Sequence, residues 1–114
     1  MKSKRPRAAR YPFVATVTLT DLDSGRQIQE NTSDLSLFGC QVVPGNSTPS
    51  GTRVRVQIIH NGQPFEAWGR VTHVRSVAGM GVVFTKVEDR CQLVLDKWIA
   101  VLRDKTMAGQ IVSS

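Results

Sequence analysis

The sequence predicts a mostly β protein: about six short antiparallel strands closed into a small barrel, with one C-terminal helix plugging its open end. Three observations carry that reading. Apolar and polar residues alternate with period two in short runs from residue 11 to residue 84, and clusters of turn residues separate the runs. Asn61-Gly62, the strongest short hairpin signal, lies between two of these runs. Beyond Phe84 the apolar spacing changes to that of a helix.

The elements follow in order. Residues 11–20 are β-branched and alternating, with Phe13, Ala15, Val17 and Leu19 on one side, so they read as one strand. Asp21–Gly25 is a turn cluster, and Arg26–Ser33 is a polar returning strand at a surface or edge. Asp34–Gly39 reads as a short break before the strand Cys40–Val43, which Pro44-Gly45-Asn46 stops. Val54–Ile59 is a strand with Val54, Val56 and Ile58 on one face. Phe65–Val77 returns from the Asn61-Gly62 turn; its apolar period slips between Val71 and Val74, where a bulge is expected. Ala78-Gly79 turns the chain into Met80–Phe84. Cys91, Val94 or Leu95, Trp98, and Val101 or Leu102 then recur at helical spacing. Glu88 and Asp89 in the first turn, and Arg103 and Lys105 in the last, suit the helix dipole. Trp68 and Trp98 are expected to pack between sheet and helix. The expected organisation is a basic arm over residues 1–10, one domain over 11–104 and a disordered tail over 105–114.

With 114 residues the chain fits one domain, and its composition is that of a globular protein. No run of 18 apolar residues is present, so no membrane span is expected, and the N-terminus lacks the apolar stretch of a secretory signal. Cys40 and Cys91 form no CxxC pair and read as buried thiols of a cytoplasmic protein. The net charge of +6 is unevenly placed. Lys2, Lys4, Arg5, Arg7 and Arg10 precede the first acid, Asp21, and the remaining ten basic residues nearly balance nine acidic ones. A neutral domain with a basic arm either attracts phosphate groups or carries a solvated tail.

Catalytic chemistry finds no support. The two histidines, His60 and His73, belong to no HExxH motif, and GxSxG and GKS/T elements are missing from the sequence. The chain therefore reads as a binding module, not an enzyme, with no cofactor and no metal. Its most distinctive segment is Asp34-Leu35-Ser36-Leu37-Phe38-Gly39. An Asp carboxylate can accept from an amidine-like N–H pair such as the guanine N1/N2 edge, and a Ser hydroxyl can donate or accept. Gly39 allows a positive φ or a close backbone approach. The same residues would equally make a self-capped turn.

DLSLFG matches the (D/N)xSxxG motif, and the chain resembles PilZ domains, receptors for the bacterial second messenger cyclic di-GMP. The resemblance covers roughly residues 4–104 and extends to Arg10-Tyr11-Pro12-Phe13, to Gly69–Arg75, to Gly79-Met80-Gly81-Val82-Val83-Phe84 and to the terminal helix. It implies a PilZ-like split barrel. It also implies a site in which Arg5, Arg7 and Arg10 clamp phosphates and a guanine edge, Asp34, Ser36 and Gly39 hold a guanine, and His73 stacks on a base. Arg70 and Arg75 read as solvated surface. One departure stands out. The family's RxxxR motif is unmatched: with Arg10 second the first position is Pro6, and with Arg7 second it is Ser3. The expected function is a stand-alone cyclic di-GMP adaptor that signals to an unidentified protein partner, with no nucleic acid involved. The alternative is a degenerate PilZ-like interaction module that binds no nucleotide. A basic barrel for single-stranded nucleic acid is a third reading, but most of the seven aromatic residues fall at positions read as core.

Overall fold

The computed structural model describes residues 9–43, 48–72 and 79–113, with side chains through residue 106 at the C-terminal end. Its strands are β1 (Tyr11–Pro12), β2 (Thr16–Asp21), β3 (Gln27–Ser36), β4 (Gly39–Val43), β5 (Arg53–His60), β6 (Gln63–Thr72) and β7 (Met80–Lys86), followed by the helix α1 (Asp89–Ser113). All pairings are antiparallel, in the order β3-β2-β5-β6-β7-β4, and β3 also pairs β4. Six strands thus close a barrel, which leaves no open sheet edge in the ring. β1 lies outside it, paired only to β3.

Alternation builds the core as the sequence predicts. Val17 and Leu19 of β2, Val54, Val56 and Ile58 of β5, Phe65, Ala67 and Val71 of β6, and Val82 of β7 all point inward and are buried. The helix adds Leu95, Trp98 and Ile99 and packs against β1 and β6. Trp98 is the centre of an aromatic cluster, with ring centroids 5.5 Å from Phe13, 5.5 Å from His60 and 5.9 Å from Phe65. Such tilted and edge-on pairs add to the stabilisation from burial alone. The hairpin dipeptide behaves as expected: Asn61 has φ 52° and Gly62 φ 76°, the pair of positive values that a tight two-residue turn between twisted strands needs.

Several expectations are corrected. Residues 11–20 form two strands, not one. Between the pairs Pro12↔Asp34 and Thr16↔Asn31 the chain advances four residues on one side and three on the other, so one residue is surplus and the ladder breaks. Asp34–Gly39 is not a break but a hairpin: Asp34 to Ser36 end β3, Gly39 opens β4, and only Leu37-Phe38 turn. The bulge expected between Val71 and Val74 lies partly outside the described residues; the β6–β7 ladder also slips between Trp68 and Gly69, where Thr85 of β7 is the surplus residue. Trp68 does not pack between sheet and helix. It is 37% exposed on the outer face, with the Arg55 guanidinium 5.5 Å from its ring centre. Cys91 is half-buried. The helix runs on to Ser113 through the expected tail, and Arg103 and Lys105 are therefore not in its last turn. Residues 105–108 hold no proline, and one Gly109 costs a helix only about 1 kcal/mol.

Candidate functional site

The site is organised by a slip in β3. Thr32 pairs Val42, but Asp34 pairs Gln41, so Ser33 is an extra residue. Strict alternation would put residues 32 and 34 on one face. The slip instead brings Thr32 and Leu35 to the buried side and turns Asp34 toward the surface, half-buried. Thr32 is almost fully buried and replaces the missing ladder bonds of the β1–β2 break. Its hydroxyl donates to the Phe13 carbonyl at 2.7 Å and accepts from the Ala15 N–H at 2.9 Å. The Phe13 N–H donates to Ser33 O at 3.2 Å. These bonds fix where the N-terminal segment crosses β3.

Arg10 follows from that crossing. Tyr11 and Pro12 pair with Leu35 and Asp34, which sets Arg10 beside the β3–β4 hairpin. Its Nη2 donates to Asp34 Oδ1 at 3.0 Å, with side chains 50% and 29% exposed. A pair this wet contributes about 0–1 kcal/mol, so its role is to orient more than to stabilise.

Ser36 and Gly39 sit differently. Ser36 is buried; its Oγ accepts from the Phe38 N–H at 3.1 Å and donates to the Gly39 carbonyl at 3.3 Å. The self-capped turn is therefore formed by Ser36, while Asp34 is held by Arg10. The hydroxyl proton is committed to Gly39 O, leaving one lone pair. Of the two options for Gly39, the structure takes close approach: a Cβ there would lie 2.2 Å from the Val82 carbonyl oxygen of β7. Phe38 is exposed at the turn tip, and its carbonyl accepts from the Phe84 N–H at 2.8 Å, tying the turn to β7.

Cys40, opposite Leu35, is fully buried. Burial first, then the nearby Asp34 charge, pushes its thiol up to about 12, and Arg10 offsets this only in part. It stays protonated at neutral pH and is not a nucleophile.

Of the sequence-predicted site residues, the structure brings Arg10, Asp34, Ser36 and Gly39 together on and beside one hairpin. Arg5, Arg7 and His73 lie outside the described residues, as does Arg75. Arg70 is exposed, one strand beyond Val83 in the row that also holds Gly39. Thr32 was missed. A threonine within a polar run carries no alternation signal, and only the slip reveals its inward turn. Among the described residues no group of three His, Cys, Asp or Glu could hold a metal, and no helix is long and apolar enough to cross a membrane.

The fold is a small closed β-barrel domain whose N-terminal segment sets the Arg10 guanidinium against the Asp34 carboxylate of the β3–β4 hairpin. The chain belongs to the PilZ domain family, whose model matches residues 3–100. Among solved structures it is similar to the PilZ domain of CeSA from a cellulose-synthesizing bacterium, with 18% identity and TM-score 0.66 over 84% of this chain and 99% of that one. It is also similar to the PilZ domain of YcgR from Escherichia coli solved with c-di-GMP, with 15% identity and TM-score 0.67 over 94% and 98%. The Bacillus subtilis inhibitor of motility MotI/DgrA matches at 17% identity and TM-score 0.68; 93% of this chain covers 53% of that protein. At these identities the likeness concerns the fold. No curated protein sequence matches the chain.

Proposed function

We propose that this chain is a cyclic di-GMP receptor that works in the cytoplasm, binds through its basic arm and the DLSLFG hairpin, and passes the signal on by changed contacts with a protein partner. The observation that carries this is the Arg10–Asp34 pair. A guanidinium and the N1/N2 edge of guanine offer the same side-by-side N–H donors. Arg10 meets Asp34 through one nitrogen only, Nη2 on Oδ1, and a guanine edge would replace it with two such donors, one on each carboxylate oxygen. Opening an exposed pair costs at most about 1 kcal/mol, so exchange is cheap. The freed guanidinium then has a phosphate or a guanine Hoogsteen edge to bind, both of which suit its fork. Arg5 and Arg7 supply further positive charge in place of the family's first arginine, and His73 is a stacking group. Family membership and the likeness to a PilZ domain solved with c-di-GMP support the ligand. Free Cys40 and Cys91 fit a reducing compartment.

Isothermal titration with cyclic di-GMP tests the reading. Arg10→Ala and Asp34→Ala should each weaken binding at least about tenfold, or roughly 1.4 kcal/mol. Arg5→Ala/Arg7→Ala should lose most binding and Lys2→Ala/Lys4→Ala little, while Pro6→Arg, which restores the RxxxR spacing, should tighten it. The rival reading, a PilZ module without nucleotide, is favoured by Pro6 itself. It wins if the unaltered chain gives no heat of binding and Pro6→Arg does not restore it.

A further inference from the structure

A groove of about 390 Å³ lies between the β1–β2 connection, the β5–β6 hairpin and α1. Its floor is Phe13 and Trp98, both buried. Its lips are Val14, 74% exposed, and Val101, 50% exposed. Large aliphatic side chains exposed beside an aromatic floor mark a contact surface more than a solvated one. The charge around it has one sign. Lys97 and Lys105, both exposed, line the groove, and no acid does among the described residues. The nearest helix acids, Asp96 and Asp104, do not line it; Asp96 accepts from Gln92 at 2.9 Å, and Asp104 lies 3.9 Å from Arg103.

The order along α1 defines the complement. Lys97, Val101 and Lys105 are spaced four residues apart and form one row down the helix, cation–apolar–cation, roughly 12 Å long. We infer that this groove docks an acidic segment of a protein partner in which an apolar anchor lies between two carboxylates. The anchor enters between Val14 and Val101 over Trp98, and the carboxylates meet Lys97 and Lys105. Such a segment buries the apolar lips and neutralises both cations, whereas a basic segment would be repelled by both. The groove includes Pro12 and Phe13, two and three residues beyond Arg10, so it adjoins the hairpin site without sharing its arginine or its aspartate.

Panning random 12-residue displayed peptides on the full chain, without nucleotide, tests this independently of the cyclic di-GMP reading. The enriched pool should carry acid–apolar–acid patterns. A synthetic peptide from it should shift the NMR signals of Val14, Trp98 and Val101. Its affinity should fall at least about tenfold on Lys97→Glu/Lys105→Glu, the loss expected from two exposed ion pairs turned repulsive. Val101→Asp, at a second exposed position, should weaken it similarly, and Arg26→Glu/Arg53→Glu, at the end of the barrel opposite the β5–β6 hairpin, should leave it unchanged. No enrichment, enrichment of basic or uncharged peptides, or equal loss in both charge-reversal pairs would overturn the assignment.

Discussion

Arg10 and Phe13 lie three residues apart on one segment, yet they join regions held by different forces. Arg10 reaches a wet carboxylate in a contact that water competes for. Phe13 reaches Trp98, His60 and the barrel interior, where burial and ring packing dominate. Between them Thr32 bonds the Phe13 carbonyl and the Ala15 N–H. The segment is thus rigid at its root and exchangeable at its tip. The proposed receptor role needs that division: the stabilising contacts must survive when the Arg10–Asp34 contact is given up to a ligand.

Three substitutions probe the contrast, from the largest expected effect to the smallest. Trp98→Ala removes the centre of the aromatic cluster and should destabilise the fold by about 3–5 kcal/mol in denaturant unfolding. A loss under 1 kcal/mol would show that the helix does not seal the core. Thr32→Val keeps the shape but strands the Phe13 carbonyl and the Ala15 N–H, which should cost about 1–3 kcal/mol. Because it loosens the root of the segment, it should also weaken cyclic di-GMP binding although Thr32 itself is buried; unchanged affinity would mean that the root does not set Arg10. Arg10→Ala should change stability by less than about 1 kcal/mol while weakening binding at least about tenfold. A large stability loss there would erase the difference between the two regions.

Much of the fold could be read in advance because its signals are local. Alternation in β2, β5 and β6 fixed which side chains face inward, Asn61-Gly62 fixed a turn, and helical spacing placed Trp98 in the core, while the choice between Val94 and Leu95 fell to Leu95 only in the structure. Trp68 shows a signal that was present and not followed: it alternates with the inward-facing Ala67 and Gly69, so the pleat alone puts it outside. The slips around Pro12 and Ser33 were not legible, because a bulge is decided by two strands together and neither strand carries its partner's register. For the same reason the motif read as a loop when it is a hairpin. The residue types at the site were visible in sequence; that Ser36 would spend its proton on Gly39 was not, since that follows from a turn only two residues long.

The last glycine of DLSLFG has a consequence for any genetic reading of this site. At Gly39 the neighbouring strand's Val82 carbonyl stands where the first carbon of any other side chain would be, and it is backbone, so no rotamer can swing aside. Selection for folded protein alone would already purge every substitution there. In a saturation screen scored by cellular abundance, position 39 should be depleted with or without cyclic di-GMP in the cell, while positions 10 and 34 should tolerate replacement. A glycine kept in this motif is therefore a record of two strands touching, and, on the proposed function, variation at Arg10 and Asp34 is where loss of nucleotide sensing would leave its trace.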